Sequence, residues 1–569
     1  MRRRIPLLIP TALTARCAAA ALCLLAAAPA RAQWPTTRQD YLIVADDSAL
    51  FEGYPSIIPY CGDRTLVVYH QEGAQGNCYQ IIDRYGNFAF TEPPSLAPEE
   101  ANPPFTYPAI VIPDGAGGAM AVWYADQFLV EGYICAQRLD SQGNRLWGVG
   151  GVEVFGRAPY DGASLDVCPD GAGGYFVAFS YQPPGQSQAV IHIQHLNGDG
   201  QFLWGDSGAA ICPGLEAQYE PKIVADFQGG VYIVWRDCRP PYFPEGVLYR
   251  QRFDSSGQPM WTPATGIYTC LPVWHQYLIS DEANGFIMLA NPGPQDYYTA
   301  FRFGPTGEQL WNVTHISWWD NSRLLEGESG FFYIGFDASS ATYGQRMDMQ
   351  GIVYWPTWGS GQLGALMADL PGLGQSETTD FIFHYPYFYG LYAFQPPHPP
   401  YEPVTLYVNA LDLQGIAAYG DSGVLLGVNY QGQEPLAYFK NRKVAIDEDS
   451  GMVAVWEQWC GEAHDVYAKR CNADGSLGGP PLYVPPIGNP SAGPSLSLNQ
   501  FRYSLPGPSE VEAALYDILG RERLAHHENV SAAGSYTLPF DTKSLPSGIY
   551  LLRLKTKYGE AVGKVAIIK

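Results

Sequence analysis

DSQGNRLW, residues Asp140–Trp147, is the stretch whose reading decides the architecture. An Asp, a Gly three positions on and a Trp four positions after the Gly make a turn phrase. The Asp side chain accepts hydrogen bonds from the amides that follow, and the Gly takes the positive φ that closes a hairpin. The phrase returns as NGDGQFLW (197–204), DSSGQPMW (254–261), GPTGEQLW (304–311) and DMQGIVYW (348–355). Its glycine falls at Gly86, Gly143, Gly200, Gly257, Gly307, Gly351, Gly415 and Gly475, at intervals of 57, 57, 57, 50, 44, 64 and 60. Three equal intervals in succession mark an internal repeat. Five copies carry the Trp, Phe90 and Tyr419 replace it in two, and the last, NADGSLGG, has none.

A second marker precedes the first in each unit. PDGAGGAMAVW (113–123) recurs as PDGAGGYFVAF (169–179), ADFQGGVYIVW (225–235), SDEANGFIMLA (280–290) and IDEDSGMVAVW (446–456). A unit therefore reads as a short strand (PKIVAD, 221–226), a Gly-rich turn, an apolar strand (GVYIVW, 230–235), and a third strand (GVLYRQRFD, 246–254). The phrase then turns into a fourth strand beginning near Trp261. Units of this length with four strands predict an all-β fold, a β-propeller over residues 33–488. Eight blades are favoured. Seven is the runner-up if the worn unit at 276–322 or the divergent one at 368–440 is not a full blade. DYLIVAD (40–46) is the expected closing strand, pairing into the last blade.

Composition fits this reading. With 46% hydrophobic and 16% charged residues the chain folds rather than staying disordered, and 62 Gly and 47 Pro suit many tight turns. Residues 1–32 read as a signal peptide, with Arg2, Arg3 and Arg4, an apolar run at 18–28 and the small-residue pattern ARA at 30–32. No later run is long and apolar enough to span a bilayer, so no transmembrane span is expected after leader cleavage. Without the five leader arginines, 28 of the 33 Lys and Arg remain against 56 Asp and Glu, a net charge of −28. Such a surface repels phosphate backbones and argues against nucleic acid. Setting aside Cys17 and Cys23 leaves nine of the eleven cysteines. Cys61 and Cys78 share a repeat and are candidates for a bridge, but no pairing is assigned.

The repeats resemble divergent propeller units of secreted and surface proteins of Bacteroidetes-like Gram-negative bacteria. Those carry D-G-x-G-G, then W-x-D-x-R, then Q-R-hydrophobic-D-x-x-G-x-x-x-W. The unit at 219–276 has Gly229, Gly230, Trp235, Asp237 and Arg239, followed by Gln251, Arg252, Asp254, Gly257 and Trp261. This resemblance implies a fold and no activity. Beyond it, residues 489–569 read as a small β-sandwich and resemble the type A C-terminal sorting domain of type IX secretion cargo. The motif positions are Tyr516, Asp517, Gly520 and Arg521, then Gly534, then Gly548 and Tyr550, then Lys564 through Lys569. The resemblance implies recognition by the type IX secretion machinery and export through the periplasm to the cell surface or beyond.

Nothing in the sequence identifies a reaction. DEDSG (447–451) and PEEANPP (98–104) cluster carboxylates, but in turns. A sialidase reading draws on loosely Asp-box-like turns, yet Arg236, Arg239, Arg250 and Arg252 fall within one repeat instead of converging from several blades. NGDG (197–200) is only a fragment of a calcium loop. No catalytic, cofactor-binding or metal-binding residue is assigned, and no cofactor is expected. HYPYFYGLYAFQPPHPPYEP (384–403) supplies Tyr387 and Tyr401 as a candidate ligand platform. The expectation is a non-catalytic binding or structural module, not an enzyme, with an extracellular glycan or protein as ligand. The alternative is an extracellular glycan-active hydrolase, sialidase-like or another glycosidase.

Overall fold

The computed structural model describes residues from Trp34 to Ile567, except 39, 46–51, 73–75, 98–104, 128–130, 157–163, 183–187, 213–216, 242–245, 271–275, 292–296, 319–321, 339–340, 356, 359–361, 370–374, 396–403, 430–439, 448–449, 461–462, 479–494, 498–501, 506–507, 518–521, 531–533, 539, 541–544, 546–547 and 558. The chain divides into two compact units, Met1–Pro481 and Leu482–Lys569. Among the described residues the regular structure of both is β-strand.

In the first unit, among the described residues, eight sheets of three to five strands succeed one another in chain order, with a two-stranded pair, Thr357–Trp358 and Gln362–Leu363, inserted in the sixth. In the fourth, Gln218–Ala225, Val231–Asp237, Val247–Phe253 and Ile267–Cys270 pair antiparallel as consecutive neighbours. The apolar run becomes the second strand, buried on both faces because adjacent sheets cover it; Val231 to Trp235 are fully buried. The first strand of each sheet packs against the first strand of the next, and Glu52–Tyr60 of the first sheet meets Lys440–Ile446 of the eighth. The sheets thus close into a β-propeller. The worn unit at 276–322 and the divergent one at 368–440 each form a four-stranded sheet. The N-terminal strand Leu42–Ala45 pairs antiparallel with Ala463–Cys471 as an edge of the eighth sheet, the closure DYLIVAD suggests.

The turn phrase does more than reverse the chain. The Trp of one sheet lies over the phrase glycine of the next and donates its indole N–H to a carbonyl of that next turn. Trp147 donates to Gly198, Trp204 to Ser255, Trp261 to Pro305, Trp311 to Met349 and Trp355 to Leu413, at 2.9–3.2 Å. The Tyr419 hydroxyl does the same to Ala473. The glycine is needed twice. At Gly307 φ is +87°, and an added Cβ would stand 3.0 Å from Trp261 Cδ2. This sideways use of the Trp corrects one expectation. The fourth strand of that unit begins at Ile267, not near Trp261, because the chain first makes an extra turn through Gly266 before rejoining the ladder.

The eighth phrase has Gly479 where the aromatic belongs. Trp34 fills the gap from the other end of the chain. It is 2% exposed and sits in a core shared by the first and eighth sheets, with Ile57, Val67, Ala445 and Val455. Its amide donates to the Tyr85 carbonyl in the first phrase, while Thr36 lies against Gly478 in the eighth.

Cys61 and Cys78 are not bridged; Cys61 is exposed and Cys78 is buried. Strand Gly76–Asp83 carries Cys78 into the core, whereas Cys61 stays on a surface turn.

The second unit has a three-stranded sheet of Ser495–Ser497, Arg502–Leu505 and Gly534–Thr537, and a four-stranded sheet of Glu522–Val530, Ser509–Asp517, Gly548–Thr556 and Gly559–Ile567. Alternation in VEAAL puts Val511, Ala513 and Leu515 into its core with Tyr550, Leu552 and Leu554, while Glu512 faces solvent.

Candidate functional site

The ring brings the first strands of successive sheets around a channel, and their bulges decide what lines it. Register shifts fall between Tyr219 and Lys222, between Thr378 and Asp380, and between Lys440 and Lys443. The half-buried residues that follow form charged links between neighbouring sheets. Lys222 Nζ lies 3.5 Å from Asp166 Oδ1, and Lys443 Nζ 3.9 Å from Asp380 Oδ1. The other oxygen of each aspartate accepts a backbone amide of the next sheet, Ile223 at 2.8 Å and Val444 at 3.1 Å. Arg323 donates to the Tyr277 hydroxyl between these two sets. Burial raises both Asp166 and Asp380 above the ordinary carboxylate range, with Lys222 and Lys443 pulling the other way.

Two cavities open here. One of about 390 Å³ is bounded by Asp166, Lys222, Tyr277 and Leu324, from the first strands of the third to sixth sheets. The other, of about 370 Å³, is lined by Ser280, Glu282, Asn284 and Phe331. Phe227 and Glu326 line both, so the two cavities are neighbours, each of ligand-accommodating size. Burial raises Glu326, opposed by the Ser280 amide and reinforced by the Glu282 charge.

The motif residues singled out in the sequence have structural work elsewhere. In D-x-x-x-G the aspartate caps its own turn; Asp226 Oδ1 accepts from Gln228 and Gly230 at 2.7 Å each. Its other oxygen takes an arginine, or in one sheet His195, from the third strand. The pairs are Asp114–Arg138, Asp170–His195, Asp226–Arg252 and Asp281–Arg302 at 2.8–2.9 Å, Asp447–Arg470 at 2.6 Å, and Glu328–Arg346. The four arginines of the fourth repeat do not converge on the channel. Arg239 clasps Asp237, Arg252 clasps Asp226, Arg236 meets Glu220 at 3.3 Å, and Arg250 donates to carbonyls of Tyr268 and Gly307. Asn197 caps the amides of Asp199 and Gln201 in the calcium-like fragment, and no group of three or more potential metal ligands occurs among the described residues. Of DEDSG, Asp447 caps Gly451 and Glu448 and Asp449 lie outside the described residues; so does 98–104.

Tyr387 begins the strand Tyr387–Gln395 and packs half-buried on the core of the seventh and eighth sheets, 6.0 Å from Tyr389; Tyr401 lies outside the described residues. Among the sorting positions, Asp517 pairs with Tyr550 across the sheet, Gly534 and Gly548 open strands and Lys564 pairs with Leu551, while Gly520, Arg521 and Lys569 lie outside the described residues. Sequence reasoning missed Phe227, Glu282 and Glu326. Phe227 and Glu282 were visible as the residues replacing Gly after the turn aspartate in ADFQGG and SDEANG.

A family model described as a secretion system C-terminal sorting domain matches residues 494–569. No curated protein matches the chain in sequence. Among solved structures, a protein of unknown function from Dyadobacter fermentans DSM 18053 is 9% identical, with a TM-score of 0.32, covering 66% of this chain and 99% of its own. A polysaccharide lyase described as an ulvan lyase is 10% identical (TM-score 0.39; 78% and 97% covered). The dihydro-heme d1 dehydrogenase NirN is 12% identical (TM-score 0.38; 92% and 86% covered). At these scores none of them bears on this chain's chemistry. The closed ring of sheets and the matched tail together identify the chain as a β-propeller cargo of type IX secretion, exported to the cell surface or secreted.

Proposed function

We propose that the propeller is a single eight-bladed ring that binds an extracellular ligand in its channel and has no catalytic activity of its own. The single observation that carries this reading is the engagement of the channel aspartates. One oxygen of each carboxylate accepts an amide of the next sheet, and the other faces a lysine at 3.5 Å for Asp166 and 3.9 Å for Asp380. Both aspartates thus serve as ties between blades. A glycosidase needs two carboxyl groups facing a substrate, one of them able to deliver a proton. Glu326, raised by burial, is the residue on which a hydrolase reading would rest.

A glycan and polysaccharide binding screen on the purified full chain, with reaction products followed in parallel, tests the proposal. Saturable binding without product supports it. Product formation that disappears in Glu326→Gln replaces it with the hydrolase.

A further inference from the structure

One short segment, 34–45, ties three sheets together. Trp34 is buried in the core shared by the first and eighth sheets, and its amide donates to the Tyr85 carbonyl at 3.2 Å. Lys469, fully buried on the third strand of the eighth sheet, donates from Nζ to the carbonyls of Thr37 and Asp40. The Tyr41 hydroxyl donates to the Val428 carbonyl and accepts the Val428 amide, at 3.0 Å each, on the fourth strand of the seventh sheet. Leu42–Ala45 then completes the eighth sheet.

The ring depends on this clasp. Among the described residues both hydrogen-bond partners of the Lys469 ammonium lie in it, and the Tyr41 ring centre is 5.3 Å from that ammonium. Unseated, the segment would leave a Trp-sized cavity, a buried ammonium without acceptors and an eighth sheet with an unpaired edge.

The clasp starts two residues after ARA (30–32), the small-residue pattern that ends the leader. An extended residue spans at most ~3.6 Å, so the bond after Ala32 lies within about 7 Å of chain from Trp34. A peptidase needs extended chain on both sides of the bond it cuts, and a Trp34 locked in the ring core cannot be drawn into its cleft. The apolar run ends at Ala28, six residues before Trp34. A leader held in a bilayer therefore keeps Trp34 within about 20 Å of the membrane.

We propose that removal of the leader licenses closure of the ring. The cut after Ala32 comes first, the freed end then seats Trp34, and until it does the propeller stays open between its first and eighth sheets. The inference uses the reading of residues 1–32 as a cleaved leader and is independent of what the channel binds.

A full-length precursor carrying Ala30→Phe and Ala32→Phe lacks the small residues that cleavage requires. Native-state hydrogen exchange compares it, in the same detergent, with the cut chain. Glu52–Tyr60 and Ala463–Cys471 should lose protection by about a hundredfold, as expected for an unfilled Trp site that opens locally. Val231–Asp237 and Phe286–Ala290, in the fourth and fifth sheets, should be unchanged. A spacer of about ten Gly and Ser residues between Gln33 and Trp34 gives the clasp slack to seat with the leader still attached. It should restore the protection of the cut chain, and Trp34→Ala in the spaced precursor should abolish the rescue. Full protection of the seam in the unspaced precursor overturns the proposal. So does failure of the spacer to restore it, or equal loosening of the fourth and fifth sheets, which would make the leader a general destabiliser. If the unspaced precursor does not fold at all, folding recovered by the spacer supports the proposal and folding not recovered refutes it.

Discussion

Replacing Trp34 by Ala should open the ring at one seam and nowhere else. Trp34 is 2% exposed and stands in for the aromatic missing from the eighth phrase. Truncating a fully buried Trp costs about 3–5 kcal/mol, since the transfer term and the cavity left behind add. Its neighbours are the first-sheet residues Ile57 and Val67 and the eighth-sheet residues Ala445 and Val455, so the loss falls on that junction. At 1.4 kcal/mol per tenfold, even the low end lowers protection of the junction's amides by about a hundredfold if they exchange through local opening. Native-state hydrogen exchange on the full chain should show this in Leu42–Ala45, Glu52–Tyr60 and Ala463–Cys471. Exchange in the fourth and fifth sheets should stay as in the parent. Trp261→Ala, at a Trp that is 6% exposed, should reverse the pattern. The reasoning is refuted if Trp34→Ala leaves the three seam strands protected within about threefold, or loosens the fourth and fifth sheets equally.

Gly307→Ala should destabilise by about 2–5 kcal/mol, a left-handed penalty of about 1–2 plus overpacking of about 1–3. Gly330→Ala, with φ +85° and nothing within 4 Å of the added Cβ, should cost only the first part; equal denaturation midpoints for the two variants would remove the wedge argument. Asp447→Asn should lower stability by about 3–5 kcal/mol by stranding Arg470, whose side chain is 1% exposed; a change under about 1 kcal/mol in urea titration would show the pair to be dispensable. Burial pushes the thiols of Cys78, Cys135, Cys212, Cys270 and Cys471 up to about 12, from an ordinary value of 9.0. An acid whose folded pKa is raised stabilises the fold below its unfolded value and loses that contribution as pH rises through 9 toward 12. At pH 10 the loss is about 1.4 kcal/mol per thiol. Lys469, lowered to about 8 by burial, opposes this between pH 8 and 10.5 as a single group. The urea midpoint should therefore fall between pH 9 and 11, and a midpoint that holds or rises there contradicts it.

The sequence by itself determined the repeat, the all-β class, the first three strands of the fourth unit and the sorting tail. Each depends on local signals: turn residues at fixed spacing, apolar runs of strand length, period-two alternation in VEAAL. It also placed the closing strand, because a repeat whose last copy is short of a strand must borrow one. What it left undecided depends on neighbours in space. The phrase Trp does not start the fourth strand, because it is turned toward a glycine in the next sheet. The missing aromatic returns as Trp34, more than 400 residues from the phrase it completes. The arginines and aspartates that looked chemical are paired within and between sheets. The mouth residues Phe227, Glu282 and Glu326 came together only through packing of the fourth, fifth and sixth sheets. Local spacing fixes hydrogen bonding along the chain, whereas which side chains share a cavity depends on how successive sheets pack, and that is a property of the circle and not of any one unit.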